Sequence, residues 1–216
     1  MMYKLCVFDM DGTFIDSIGD IAAAMNRSLK KLGHTTFSEN DYYKMVGNGM
    51  EVLCRRALPK SSEDEIQELI RLYKTDYLAN CCIKTKPYDG MVELNQKLIA
   101  SGIKTAILSN KPHSQVIEIA ETLSLNSIFD IIMGQSERYP SKPAPDALLA
   151  VMEKLNASAD ETVYIGDSDV DIQLAKAANV TSVGVKWGFR GEAELKRAGA
   201  NFIVSDAGEL ASVILR

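Results

Sequence analysis

The sequence predicts an α/β protein: a parallel sheet with helices on both faces, carrying a helical segment inserted near its start. Three observations predict it. The chain opens on a buried strand, Leu5-Cys6-Val7-Phe8. From Gly90 onward, short apolar runs at 105–108, 128–133, 163–165, 182–185 and 202–204 alternate with helical stretches, as in successive βαβ units. Between Asp16 and Cys82 no convincing strand can be read.

The insertion begins with a helix over 17–32, because Ile18, Ile21, Ala22, Met25, Leu29 and Leu32 share one face. Ser17 with Asp20 reads as a capping box at its start, and Gly33 as its stop. Further helices are expected at 39–57 and 63–80, separated by the turn Pro59-Lys60-Ser61-Ser62. The division that follows is a core of residues 1–15 and 83–216, with 16–82 as the insertion.

A chain of 216 residues accommodates one substantial domain plus such an insertion. Its 46% hydrophobic and 25% charged residues are ordinary for a globular protein. A net charge of −5 with no basic block argues against a nucleic-acid surface, and an anionic substrate then needs local cations or a metal. No apolar run approaches the roughly 18 residues that span a bilayer. The N-terminus enters a strand with no leader pattern, so a cytoplasmic location is the expectation. Composition fixes no oligomeric state. The four cysteines show no CxxC spacing, and adjacent Cys81 and Cys82 read as small buried hydrophobes before a redox pair. Two histidines, His34 and His113, are too scattered for a histidine metal site.

In open sheets of this kind ligands bind at the carboxyl ends of the strands, and polar residues gather there. Asp9-Met10-Asp11-Gly12-Thr13 directly follows the first strand. Residues two apart on an extended chain point the same way, so Asp9 and Asp11 leave it side by side. Such carboxylates repel unless a cation or shared proton relieves them, and Gly12 lets the backbone turn tightly beside a ligand. That arrangement suits nucleophilic attack beside a metal; a turn whose aspartates only cap N–H groups is the plain alternative. Ser109-Asn110-Lys111-Pro112 ends the next core strand and offers a hydroxyl and an amide to phosphate oxygens, or simply caps a helix. Lys142 sits between the prolines of Pro140-Ser141-Lys142-Pro143-Ala144-Pro145, which fix its direction. Gly166-Asp167-Ser168-Asp169-Val170-Asp171 brings three carboxylates after another buried strand. Hard oxygen donors without Cys or His indicate Mg²⁺ rather than zinc.

These four segments, in this order, resemble the haloacid dehalogenase-like phosphohydrolase superfamily, with a Rossmann-like core and a helical cap corresponding to the insertion. The resemblance implies that Asp9 is the nucleophile forming an aspartyl-phosphate and Asp11 the general acid and base. It implies that Gly12, Ser109, Asn110 and Lys142 hold the phosphoryl group. Mg²⁺ is implied on the Asp9 carboxylate, the Asp11 carbonyl and Asp167, with Asp171 as an outer partner that pairs with Lys142. Asp16-Ser17, Val46-Gly47-Asn48-Gly49, Pro87-Tyr88-Asp89-Gly90, the segment Gly184-Val185-Lys186-Trp187-Gly188 and Ala198-Gly199-Ala200 resemble the phosphoglycolate phosphatase-like group. Within the cap, Gly47, Asn48 and Arg56 are candidates for setting substrate choice; Arg190 either reaches an anionic tail or lies on the surface.

The implied function is Mg²⁺-dependent hydrolysis of a small phosphorylated metabolite. Carbon dehalogenation is disfavoured by Asp11 and the 167–171 acidic segment. A β-phosphoglucomutase-like phosphotransferase shares nucleophile, acid, metal and cap, and a pyrophosphate or nucleotide hydrolase also stays open. A catalytically silent binding module on the same fold has no need of all these ionisable groups.

Overall fold

The structure, a computed structural model, describes residues 3–215. Strand β1 (Leu5–Phe8) leads through the acidic turn into the short β2 (Ile15–Asp16). Four helices follow: α1 (Ile18–Lys31), α2 (Glu39–Tyr42), α3 (Met50–Ala57) and α4 (Glu63–Asn80). The chain returns through β3 (Lys86–Pro87), which pairs antiparallel with β2. Strands and helices then alternate: α5 (Met91–Ala100), β4 (Lys104–Pro112), α6 (His113–Thr122), β5 (Ile131–Gln135), α7 (Asp146–Lys154) and β6 (Thr162–Gly166). The remainder is α8 (Asp169–Ala177), β7 (Thr181–Val185), α9 (Glu192–Ala198), β8 (Phe202–Val204) and α10 (Ala207–Ile214).

Six strands form a parallel sheet in the order β5-β4-β1-β6-β7-β8. The α/β class read from the sequence is this fold. β1 is central, and its residues alternate between two apolar clusters: Cys6 and Phe8 face one, Leu5 and Val7 the other. Burial on both faces explains why the strand reads as an unbroken apolar run. The sheet extends through β4 on one side and β6 on the other, so the crevice opens beyond the carboxyl end of β1.

α1 buries Ile18, Ile21, Ala22, Met25 and Leu29 as its spacing requires, and Lys30 and Lys31 close its last turn. Its expected capping box does not form. Ser17 makes no cap hydrogen bond and donates instead to Asp11 Oδ1 at 2.5 Å. Asp20 is buried and accepts from Lys84 N, Thr85 N and Thr85 Oγ1 at 2.7–2.8 Å. Distant partners satisfy both side chains, and Asp20 thereby ties the outgoing segment of the insertion to the returning one.

The helix expected over 39–57 is two helices, because Gly47 and Gly49 between them have φ of +113° and +87°, values that L side chains rarely adopt. α4 follows the sequence closely: Ser62 accepts from Glu65 N, and Ile66, Leu69, Tyr73 and Tyr77 form its buried stripe. β5 begins at Ile131 rather than 128. β4 runs on to Pro112 with a shift in register after Leu108, so Ser109 and Asn110 lie in irregular strand and do not cap α6, whose N-cap is Pro112. Among the described residues no helix is long and apolar enough to cross a membrane.

Candidate active site

The site lies beyond the carboxyl ends of β1, β4 and β6. Asp9 is the first residue past β1, and its N–H donates to Ile165 O of the neighbouring strand at 2.8 Å, which fixes its backbone. Lys142 Nζ lies 2.8 Å from Asp9 Oδ1 and donates to Asp171 Oδ1 at 2.8 Å. It also donates to Tyr164 Oη at 3.1 Å, whose own O–H donates to Leu108 O. The lysine backbone is held as well: Asn110 Oδ1 accepts from Lys142 N at 2.8 Å. Four partners, Asp9, Asp171, Tyr164 and Asn110, thus hold the proline-flanked lysine.

Asp171 is wholly buried in the first turn of α8. While Oδ1 meets Lys142, Oδ2 accepts from Ser168 N and Ser168 Oγ at 3.1 and 2.6 Å. Its position in the capping box of α8 places its carboxylate, and Lys142 neutralises it. Asp167 Oδ2 accepts from Phe189 N at 2.6 Å. Gly12, with φ +82°, packs so closely that a Cβ there would lie 2.6 Å from Asp167 Oδ2.

Asp9, Asp167 and Asp171 are all buried and bring carboxylate oxygens within 4.8 Å of one another. Among the described residues, the Lys142 ammonium is ion-paired to two of these three carboxylates, Asp9 and Asp171. Burial pushes the Asp9 carboxyl up to about 7, against the pull of Lys142, and burial likewise raises Asp167 well above the carboxylate range, with Asp171 adding to it. Burial opposes charge on Lys142 too, but Asp171 and Asp9 outweigh it and hold the ammonium charged. A cluster with surplus negative charge and only oxygen donors fits a hard divalent cation.

The Asp11 carboxylate is not in that cluster. It faces across the crevice, where both its oxygens accept from Lys111 Nζ at 2.6 and 2.8 Å. Ser109 and Asn110 line the same crevice, and Ser109 Oγ accepts from Lys111 N at 3.2 Å. Helices of the insertion roof it. A cavity runs from Asp9 and Asp11 past Ser109 to Gln115, beneath Gly47, Met50 and Leu53.

Of the insertion residues singled out from the sequence, Gly47 lines this cavity; Asn48 and Arg56 are not among its lining residues. Arg56 Nη1 donates to Met45 O and so supports the 43–49 loop. Arg190 does not lie free on the surface: it donates to Lys44 O and Val46 O at 3.0 and 2.8 Å, holding the same loop from the core side, and its Nε lies 3.7 Å from Glu194 Oε1. Asn110 Nδ2 adds a contact to Gly47 O at 3.4 Å. Cys81 and Cys82 are free thiols 3.8 Å apart, and burial pushes Cys81 up to about 12.

Sequence reasoning passed over Lys111 and Tyr164. Lys111 was visible as a lysine two residues beyond Ser109, and both line the cavity. Tyr164 looks like any core aromatic of β6, and only the fold gives its hydroxyl to Lys142.

Compared with known proteins, the chain matches the haloacid dehalogenase-like hydrolase family over residues 6–185. It is 34% identical over 214 residues to a phosphoglycolate phosphatase of Colwellia psychrerythraea, covering 96% of this chain and 95% of that one. A phosphoglycolate phosphatase of Aquifex aeolicus is 32% identical over 186 residues, 86% of each chain. A crystal structure of a candidate phosphoglycolate phosphatase from Lactobacillus delbrueckii subsp. bulgaricus has a TM-score of 0.94 at 33% identity, covering 99% of both chains. The chain thus belongs to the haloacid dehalogenase-like hydrolases. Within that family it is an enzyme of the phosphatase kind.

Proposed function

We propose that the protein is a Mg²⁺-dependent phosphatase that hydrolyses a small phosphomonoester, phosphoglycolate or a close analogue, through an aspartyl-phosphate on Asp9. The observation that carries this reading is Asp9 at the end of β1, touching Lys142 and grouped with Asp167 in one buried cluster. The relatives named above are phosphoglycolate phosphatases, which supports the substrate. Asp9 attacks phosphorus and forms the acyl phosphate as the ester P–O bond breaks. Asp11 gives its proton to the departing alcohol, then takes one from the water that cleaves the acyl phosphate and releases inorganic phosphate. Ser109, Asn110, Lys142 and the backbone at Gly12 hold the phosphoryl oxygens.

Asp9, Asp167 and the Asp11 carbonyl would hold Mg²⁺, and Asp171 would steady the group through Lys142. When bound, the ion supplies positive charge that offsets the phosphoryl oxygens during transfer. Residues 16–82 act as a cap over a core of residues 1–15 and 83–216, excluding water and meeting the non-reacting part of the substrate. A turnover screen in Mg²⁺ over phosphoglycolate, sugar phosphates, nucleotides and pyrophosphate tests the reading. Mass spectrometry of the protein with Mg²⁺ and a phosphate-mimicking fluoride complex is its companion. Phosphoglycolate should rank at or near the top, and no phosphate release from any ester would overturn the assignment.

A further inference from the structure

Lys111 and Gln115 are not used by the chemistry above, yet both line its cavity. Lys111 is buried, its ammonium lying 4.7 Å above the Tyr77 ring. With both Asp11 oxygens accepting from Lys111, and Ser17 Oγ also on Oδ1, Asp11 is engaged away from a leaving-group oxygen. For Asp11 to act on an ester oxygen its contact with Lys111 has to be released, which an incoming anion would do. Gln115 indicates where that anion sits. Its side chain is 1% exposed, and its Nε2 is a buried donor with no partner, a state that costs stability unless a ligand supplies the acceptor. It belongs to the first turn of α6, a ten-residue helix with no acidic residue in that turn, where N–H groups and the helix dipole favour negative charge.

Building on the phosphatase reading, we propose that Lys111 and Gln115 form a subsite for an anionic group carried on the leaving alcohol. Lys111 exchanges Asp11 for that group when substrate binds and so frees Asp11 to act on the ester oxygen. Ser109 and Lys111 are two apart in the chain, about 7 Å if extended, and both line the cavity. A phosphoryl group at one end and a carboxylate at the other, joined by one or two atoms, span that gap. The enzyme therefore selects short two-headed anions, and a phosphoester with a neutral tail leaves Lys111 on Asp11.

The test compares phosphoglycolate with hydroxyethyl phosphate, which has the same length and a neutral end, using the full chain in Mg²⁺. A hydrogen bond to a charged group contributes about 1.5–3 kcal/mol, so kcat/KM should favour phosphoglycolate roughly 10- to 100-fold. Lys111→Met should bring the ratio close to one. Gln115→Leu should lower it several-fold, and it keeps the test readable if Lys111→Met fails to fold, because the Lys111–Asp11 pair stays in place. A wild-type ratio near one, or a ratio that both variants leave unchanged, overturns the subsite and leaves the phosphatase reading standing. Pyrophosphate preferred over phosphoglycolate, with that preference lost in Lys111→Met, supports the subsite and makes its occupant a second phosphoryl group. No hydrolysis of any ester, an aryl phosphate included, overturns the phosphatase reading and the subsite together.

Discussion

Replacing Lys142 by Met tests whether one ammonium holds the acidic cluster together. Met fills a similar volume but leaves Asp9 and Asp171 without the cation that lies 2.8 Å from each. Removing one partner from a buried ion pair typically costs about 3–5 kcal/mol, because the remaining charge is uncompensated. For a chain of this length each kcal/mol moves Tm by about 2–4 °C, so a fall of roughly 6–20 °C is expected. The cost should depend on pH, with a definite sign. Asp9 already sits at about 7 in the folded protein, raised by burial, and loss of Lys142 lifts it further. Below that value Asp9 is protonated in both proteins and the substitution matters less. Above it the parent ionises Asp9 beside an ammonium and the variant does not, adding up to about 1.4 kcal/mol per pH unit for each carboxyl affected. Urea unfolding of metal-free protein at pH 6 and pH 8.5 reads both quantities. A loss under about 1 kcal/mol at pH 8.5, or one equal at both pH values, would refute this account of the cluster.

Other consequences follow from the same site. Because Asp9 must be ionised to hold a metal, Mg²⁺ affinity should fall by up to about tenfold per pH unit below 7, and titration calorimetry at pH 5.5–8 checks it. Asp9 is raised relative to the unfolded chain, so stability tied to it is greatest at low pH: metal-free Tm should fall as pH climbs from 4 to 7, and added Mg²⁺ should oppose that fall above 7. Asp11→Asn should cost roughly 10²–10⁴ in kcat for an alkyl phosphate and far less for an aryl phosphate with a good leaving group; equal losses on both would remove Asp11 from proton transfer. Arg190→Met removes two donors to the 43–49 loop and should raise KM for phosphoglycolate several-fold, with a smaller change for a small aryl phosphate in parallel steady-state assays.

The sequence by itself determined the sheet, because strands buried on both faces must be apolar throughout and helices between them must carry one apolar stripe. It also determined where polar residues gather, since those after Phe8, Leu108 and Ile165 reach one crevice once those strands run parallel. What it could not fix were pairings between residues far apart in the chain. Ser17 and Asp20 have the local pattern of a capping box, yet the fold offers Ser17 to Asp11 and Asp20 to Thr85, partners that no local pattern contains. Arg190 looks like a surface arginine until the 43–49 loop meets it across 144 residues of chain. Lys111 reads as part of a phosphate turn until Asp11, 100 residues away, accepts its ammonium. A buried charge takes whatever counter-charge the packed fold brings within reach, and tertiary structure alone decides which that is.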